Sequence, residues 1–181
     1  MPVKKKQKRF EGLMVPHLDS AFNLARYITG NSDDAYDIVQ DAYLRAYQSF
    51  DRYRDDNSKA WMLTIVRNAC YTFLSRNKKL SMSFDDENYY MDESLYPDHN
   101  SNNNGLDCEL EIKEDQRSAQ NAIESLPTEF REVIVLRELE ELSYQEIANV
   151  MNIPAGTVMS RLSRGRDYLK KMLSNREEVA E

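Results

Sequence analysis

Over residues 154–172 the chain holds five bases, Arg161, Arg164, Arg166, Lys170 and Lys171, against Asp167 alone, within the run NIPAGTVMSRLSRGRDYLKKML. At about 100° per residue, Val158, Leu162, Gly165 and Leu169 fall on one apolar stripe. Ser160, Ser163, Arg164 and Lys171 project from the opposite face, with Met159 and Arg161 on the flanks. Short hydroxyl side chains permit close approach to a duplex, and arginine bonds phosphates or the edge of guanine, so this face has the chemistry of a major-groove reader. The element that positions it precedes it. Ser143 followed three residues later by Glu146 predicts a capping box ahead of Ile147, Ala148 and Val150. Met151-Asn152-Ile153-Pro154 then predicts a turn, with Pro154 at the start of the next helix, where its missing N–H removes no hydrogen bond. The result is helix, short turn, helix; an ordinary basic terminal helix is the alternative.

Two further clusters lie near the other end of the chain. A helix capped by Ser32 and running to about Phe50 would turn Val39, Ala42, Tyr43, Ala46 and Phe50 to a core, and Asp34, Asp37 and Asp41 to a separate acidic face. Such a stripe serves either as a solvated face or as a docking surface. In a second helix, WMLTIVRNACYTFLSR (61–76), Met62, Leu63, Val66, Cys70, Phe73 and Leu74 form the apolar half. Thr64, Asn68, Tyr71 and Ser75 gather around Trp61 on the other. Aromatic rings beside Arg52, Arg54, Arg67 and Arg76 suit single-stranded nucleic acid, since bases stack on rings and cations track phosphates. A tryptophan folded back into the core is the competing reading.

The whole chain bounds these readings. It has 181 residues, 41% hydrophobic and 30% charged, with a net charge of −7. The charge is unevenly spread. Residues 1–79 hold 14 Lys+Arg against 9 Asp+Glu, residues 80–115 hold 1 against 11, and residues 116–181 hold 9 against 11. The acidic middle, rich in Asp, Asn and Ser and without periodicity, predicts a flexible linker between two small all-α domains. The start, MPVKKKQKRFEG, is basic with no apolar stretch behind it, which predicts a cytoplasmic protein with a basic tail over residues 1–9. Cys70 and Cys108 are far apart with no C-x-x-C, so no disulfide framework, metal site or cofactor is expected, and no catalytic constellation is evident.

GNSDDAYDIVQDAYLRAYQSF, AWMLTIVRNACYTFL and LPTEFREVIVLRELEELSYQEIANVMNIPAGTVMSRLSRGRDYL together resemble conserved regions 2 and 4 of the extracytoplasmic-function sigma factors, the two-domain members of the sigma-70 family. The resemblance implies region 2 over residues 10–79, a linker over 80–115, region 4 over 116–173 and a tail over 174–181. It implies a non-enzymatic factor that binds core RNA polymerase through the clamp helices of the largest subunit and the flap. It further implies promoter DNA as ligand, an anti-sigma factor or other regulator as partner, and no membrane insertion. Asp34, Asp37, Gln40 and Asp41 match the docking surface for polymerase. Trp61, Thr64, Arg67 and Asn68 match the −10 melting surface, with Asn68 near the flipped-base pocket. Thr157, Met159, Ser160, Arg161, Ser163, Arg164 and Arg166 match the −35 reader. Tyr36 stands where members often carry Glu, and Met159 where many carry a base. Two rivals use the same motifs: a stand-alone helix-turn-helix regulator, which would dimerise on palindromic half-sites, and an adaptor that mimics a sigma factor without binding a promoter.

Overall fold

The basic N-terminal run folds as a helix. In the computed structural model, which describes residues 3–54, 57–84 and 117–177, the chain begins with α1 (Val3–Met14), so residues 3–9 are not the tail their charge suggested. The reason is apolar spacing: Phe10 and Met14, one turn apart, are both buried. Phe10 sits edge-on to Tyr47 and Phe50, with ring centroids 5.2 Å away in each case. Lys6 reaches Asp51 at 2.7 Å.

A short 3-10 turn leads into α2 (Leu18–Thr29), which ends at Gly30 with φ +71°, a left-handed position that suits glycine. The next helix, α3 (Ser32–Ser49), is capped by Asn31 and not by Ser32 as expected. The Asn31 carboxamide oxygen accepts from the Asp33 and Asp34 amides at 2.8 and 3.1 Å. Gly30 reverses the chain, so Asn31 is already extended and Ser32 lies inside the helix. α4 (Ser58–Phe84) starts earlier and ends later than the expected 61–76. The Asn57 side chain caps it by accepting from the Ala60 amide at 2.9 Å. Residues 80–84, read as linker, continue this helix; the rest of the linker, with Cys108 and His99, lies outside the described residues. Ala35, Ala42, Ala46, Met62, Leu63, Val66 and Cys70 are fully buried where α2, α3 and α4 meet. Burial and the nearby Glu132 carboxylate push the Cys70 thiol up to about 12, so it is inert packing.

The second domain comprises α5 (117–124), α6 (Thr128–Ile134), a π-helical turn (Val135–Leu139), α7 (Tyr144–Met151) and α8 (Ala155–Glu177). The π turn left no mark in the sequence periodicity. The capping box forms as expected: the Glu146 amide donates to Ser143 Oγ at 3.3 Å, and the Ser143 amide to Glu146 Oε2 at 2.7 Å. Those bonds, the Ser143 backbone first, hold the Glu146 carboxyl below the usual glutamate range. A lowered folded pKa stabilises the fold above the unfolded value, and that contribution is lost as pH falls through the folded one. Glu146→Gln is expected to cost about 1 kcal/mol at neutral pH and much less in acid, read by urea unfolding at two pH values.

Asn152, at φ 54°, closes α7, and Pro154 immediately precedes α8. Val158 and Leu162 are buried in the expected stripe. At Gly165 an added Cβ would lie 3.0 Å from Ile134 Cγ1, so the glycine lets α8 approach α6 closely. α8 runs through residues 174–177, which were read as tail; residues 178–181 lie outside the described set.

Candidate nucleic-acid interface

On α8, Met159, Ser160, Ser163 and Arg164 are exposed and Thr157 is half-buried. The three arginines differ in their commitments. Arg161 lies 3.2 Å from Glu129. Arg166 donates to Glu138 through Nε at 3.0 Å and Nη2 at 2.7 Å. Among the described residues Arg164 enters no ion pair, so its guanidinium is available to an external acceptor. The Ser160 hydroxyl donates to the Thr157 carbonyl at 3.0 Å, which keeps that face low.

The face around Trp61 is divided by the tertiary structure. The indole is half-buried, with its centroid 5.1 Å from Tyr53 and 6.5 Å from Phe50, so it belongs partly to the core of the first domain. Thr64 donates to the Ala60 carbonyl at 2.8 Å, within its own helix. Asn68 is exposed, beside a shallow hollow edged by Arg67, Tyr71, Thr72 and Ser75. Arg67 and Tyr71 are turned towards the second domain. Arg67 Nε donates to Glu132 Oε2 at 2.7 Å and the Tyr71 hydroxyl donates to Glu132 Oε1, while the Glu132 side chain is only 1% exposed. Burial, together with that carboxylate, raises the Tyr71 phenol well above its ordinary pKa.

Three more carboxylates of the second domain cross the same seam. Glu124 meets Arg26 at 2.8 Å, Glu140 meets Lys59 at 2.9 Å, and Glu146 accepts from Asn57. In the other direction the buried Arg131 donates to the Tyr27 carbonyl at 3.0 Å and to its own domain's Leu126 carbonyl at 2.7 Å. The sequence reading missed this set. Its signal was glutamates set into apolar runs, as Glu132 is in FREVIVL, where burial requires a partner.

On α3, Asp37, Gln40 and Asp41 are exposed and Asp34 is half-buried, with Asp41 paired to Arg45 at 2.6 Å. Beside Gln40 an apolar cleft of about 780 Å³ opens, walled by Phe10, Leu18, Phe22, Tyr36, Tyr43 and Leu44. Tyr36 is 64% exposed and lies against Phe22, centroids 4.4 Å apart. The acidic face thus borders an apolar one.

The two helical domains thus present an acidic face on α3 and an exposed face with Ser160, Ser163 and Arg164 on α8. Residues 13–80 match the family model for sigma-70 region 2, and residues 116–169 that for sigma-70, region 4. The ECF RNA polymerase sigma-E factor of Escherichia coli K12 is 35% identical over 90% of this chain and 85% of its own length. ECF RNA polymerase sigma factor SigW of Bacillus subtilis is 31% identical over 92% of this chain and 90% of its own. SigE of Mycolicibacterium smegmatis is 30% identical, and the match spans 62% of its longer chain. Among solved structures, the sigma factor RpoE of Bartonella quintana, in complex with the anti-sigma factor NepR, superposes with a TM-score of 0.69 at 26% identity, covering 92% of this chain and 98% of that one. The chain belongs to the extracytoplasmic-function branch of the sigma-70 family.

Proposed function

We propose that the chain is an alternative sigma factor: its first domain docks on core RNA polymerase and captures the melted −10 strand, and its second reads the −35 duplex. The observation that carries this reading is the presence of both family modules in one chain, with the Ser160, Ser163 and Arg164 face of α8 exposed. Thr157 and Met159 border that face, and Arg161 and Arg166 add phosphate contacts once their surface carboxylates are displaced. Trp61, Thr64, Arg67 and Asn68 form the strand-capture surface. Asp34, Asp37, Gln40 and Asp41 form the docking face for the clamp helices of the largest polymerase subunit, and the neighbouring cleft supplies apolar contact area. The second domain reaches the flap. The proposed regulator is an anti-sigma factor, as in the Bartonella quintana complex.

Titration against sigma-free core polymerase, followed by transcription from genomic fragments, tests the reading. Tight binding with discrete new transcripts is expected; binding to duplex DNA as a dimer without polymerase would instead indicate a stand-alone regulator. The double variant Asp37→Lys/Asp41→Lys should weaken the complex about tenfold or more, because it reverses the charge of the docking face on α3.

A further inference from the structure

We propose that the second domain holds the first in a closed, self-masked state, with the Glu132 carboxylate occupying the groups that would receive a promoter-strand phosphate. The inference rests on the strand-capture reading of Arg67. Arg67 and Tyr71 converge on one carboxylate that is 1% exposed, and the Arg67 guanidinium also lies over the Tyr71 ring, 4.7 Å from its centroid. Guanidinium and phenol are donors that serve carboxylate and phosphate oxygens alike, so Glu132 and a nucleic-acid strand compete for the same two side chains.

The charge layout agrees. Among the described residues, the cross-domain contacts of the four glutamates run one way, with the donors on the first domain and the carboxylates on the second. Between residues 116 and 153 the second domain has seven Asp+Glu against three Lys+Arg, whereas residues 154–172 are basic. The acidic half is turned onto the first domain's seam, and the Arg164 face of α8 is left outside. The closed molecule therefore exposes its −35 reader and its α3 docking face while covering part of its strand-capture surface. A buried ion pair adds little net stability against apolar packing, but loss of one partner strands the other charge, which makes this contact suited to a switch.

The test uses the full chain. Wild type should scatter X-rays as a compact particle and bind a fluorescein-labelled single-stranded DNA of about 12 nucleotides weakly. Glu132→Gln should expand the particle and raise the apparent DNA affinity about tenfold or more, since affinity scales with the open fraction. Arg26→Glu, which breaks a more exposed cross-domain pair outside the strand-capture surface, should expand it too, and adding Glu124→Arg should restore compactness and weak binding. That charge swap decides the matter if Glu132→Gln does not fold. An extended wild type, or variants that change neither scattering nor DNA affinity, would overturn the closed state. Expansion with no gain in DNA binding would overturn the strand-capture reading instead, and the masking with it.

Discussion

Replacement of Arg164 by alanine should weaken binding to a −35 duplex by about 1–3 kcal/mol, roughly 5- to 150-fold, and relax preference at one base position. The size of the effect follows from what each arginine of α8 already does. Arg161 and Arg166 are held by Glu129 and Glu138 at the surface, so each must give up an ion pair to meet DNA, and exposed pairs of that kind are worth about 0–1 kcal/mol. Arg164 is exposed and, among the described residues, has no such pair to break. Its neighbours Ser160 and Ser163 are short, so the helix can seat deeply enough for the guanidinium to reach a base edge. Electrophoretic mobility shift across a set of single-base −35 variants checks this. Specific relaxation at one position identifies a base contact. Uniform weakening, with a shallower salt dependence, reassigns Arg164 to phosphate.

Asn68→Ala should reduce open-complex formation about tenfold or more while leaving −35 duplex binding intact. Its side chain is exposed on α4 at the rim of the Arg67 and Tyr71 hollow, whereas Met62, Val66 and Cys70 on the opposite half of the helix are buried. Truncation therefore removes a hydrogen-bonding amide from the surface without opening a cavity. An interaction made only with a flipped or unpaired base contributes to melting and not to duplex affinity, and leaving a desolvated hydrogen-bond partner unsatisfied costs about 1–3 kcal/mol. Permanganate footprinting of the −10 region, alongside the duplex assay, separates the two steps. Unchanged permanganate reactivity would remove Asn68 from the strand-capture surface. Trp61 is the informative comparison: Trp61→Ala strips the indole from Tyr53 and Phe50, so its effect on melting has to be read against a loss of fold stability.

The features legible in the sequence were those set by neighbours along the chain. The Ser143–Glu146 capping box, the turn at Asn152 and the buried stripe of Val158 and Leu162 each depend on residues within about two turns, and helical periodicity reports such spacings directly. The all-α class followed from the same local patterns, whereas the sigma-70 family was legible through the resemblance of the two sequence blocks to regions 2 and 4. Local reading failed where a longer-range partner decided the outcome. Charge alone made residues 3–9 look like a tail, yet α1 is held by the insertion of Phe10 among Tyr43, Tyr47 and Phe50 from α3 and the turn after it. Asn31 displaced Ser32 as the cap because Gly30 takes a left-handed turn just before it.

The sequence by itself determined which faces exist: an acidic one on α3, a mixed aromatic and polar one on α4, a basic one on α8. Only the tertiary structure decided which of them remain open. Nothing in the spacing of Arg67 or Tyr71 reveals that their partner is a glutamate more than sixty residues away in sequence. A buried carboxylate must find donors wherever the fold brings them, and that choice is made by the packing of α6 and α7 on α2 and α4.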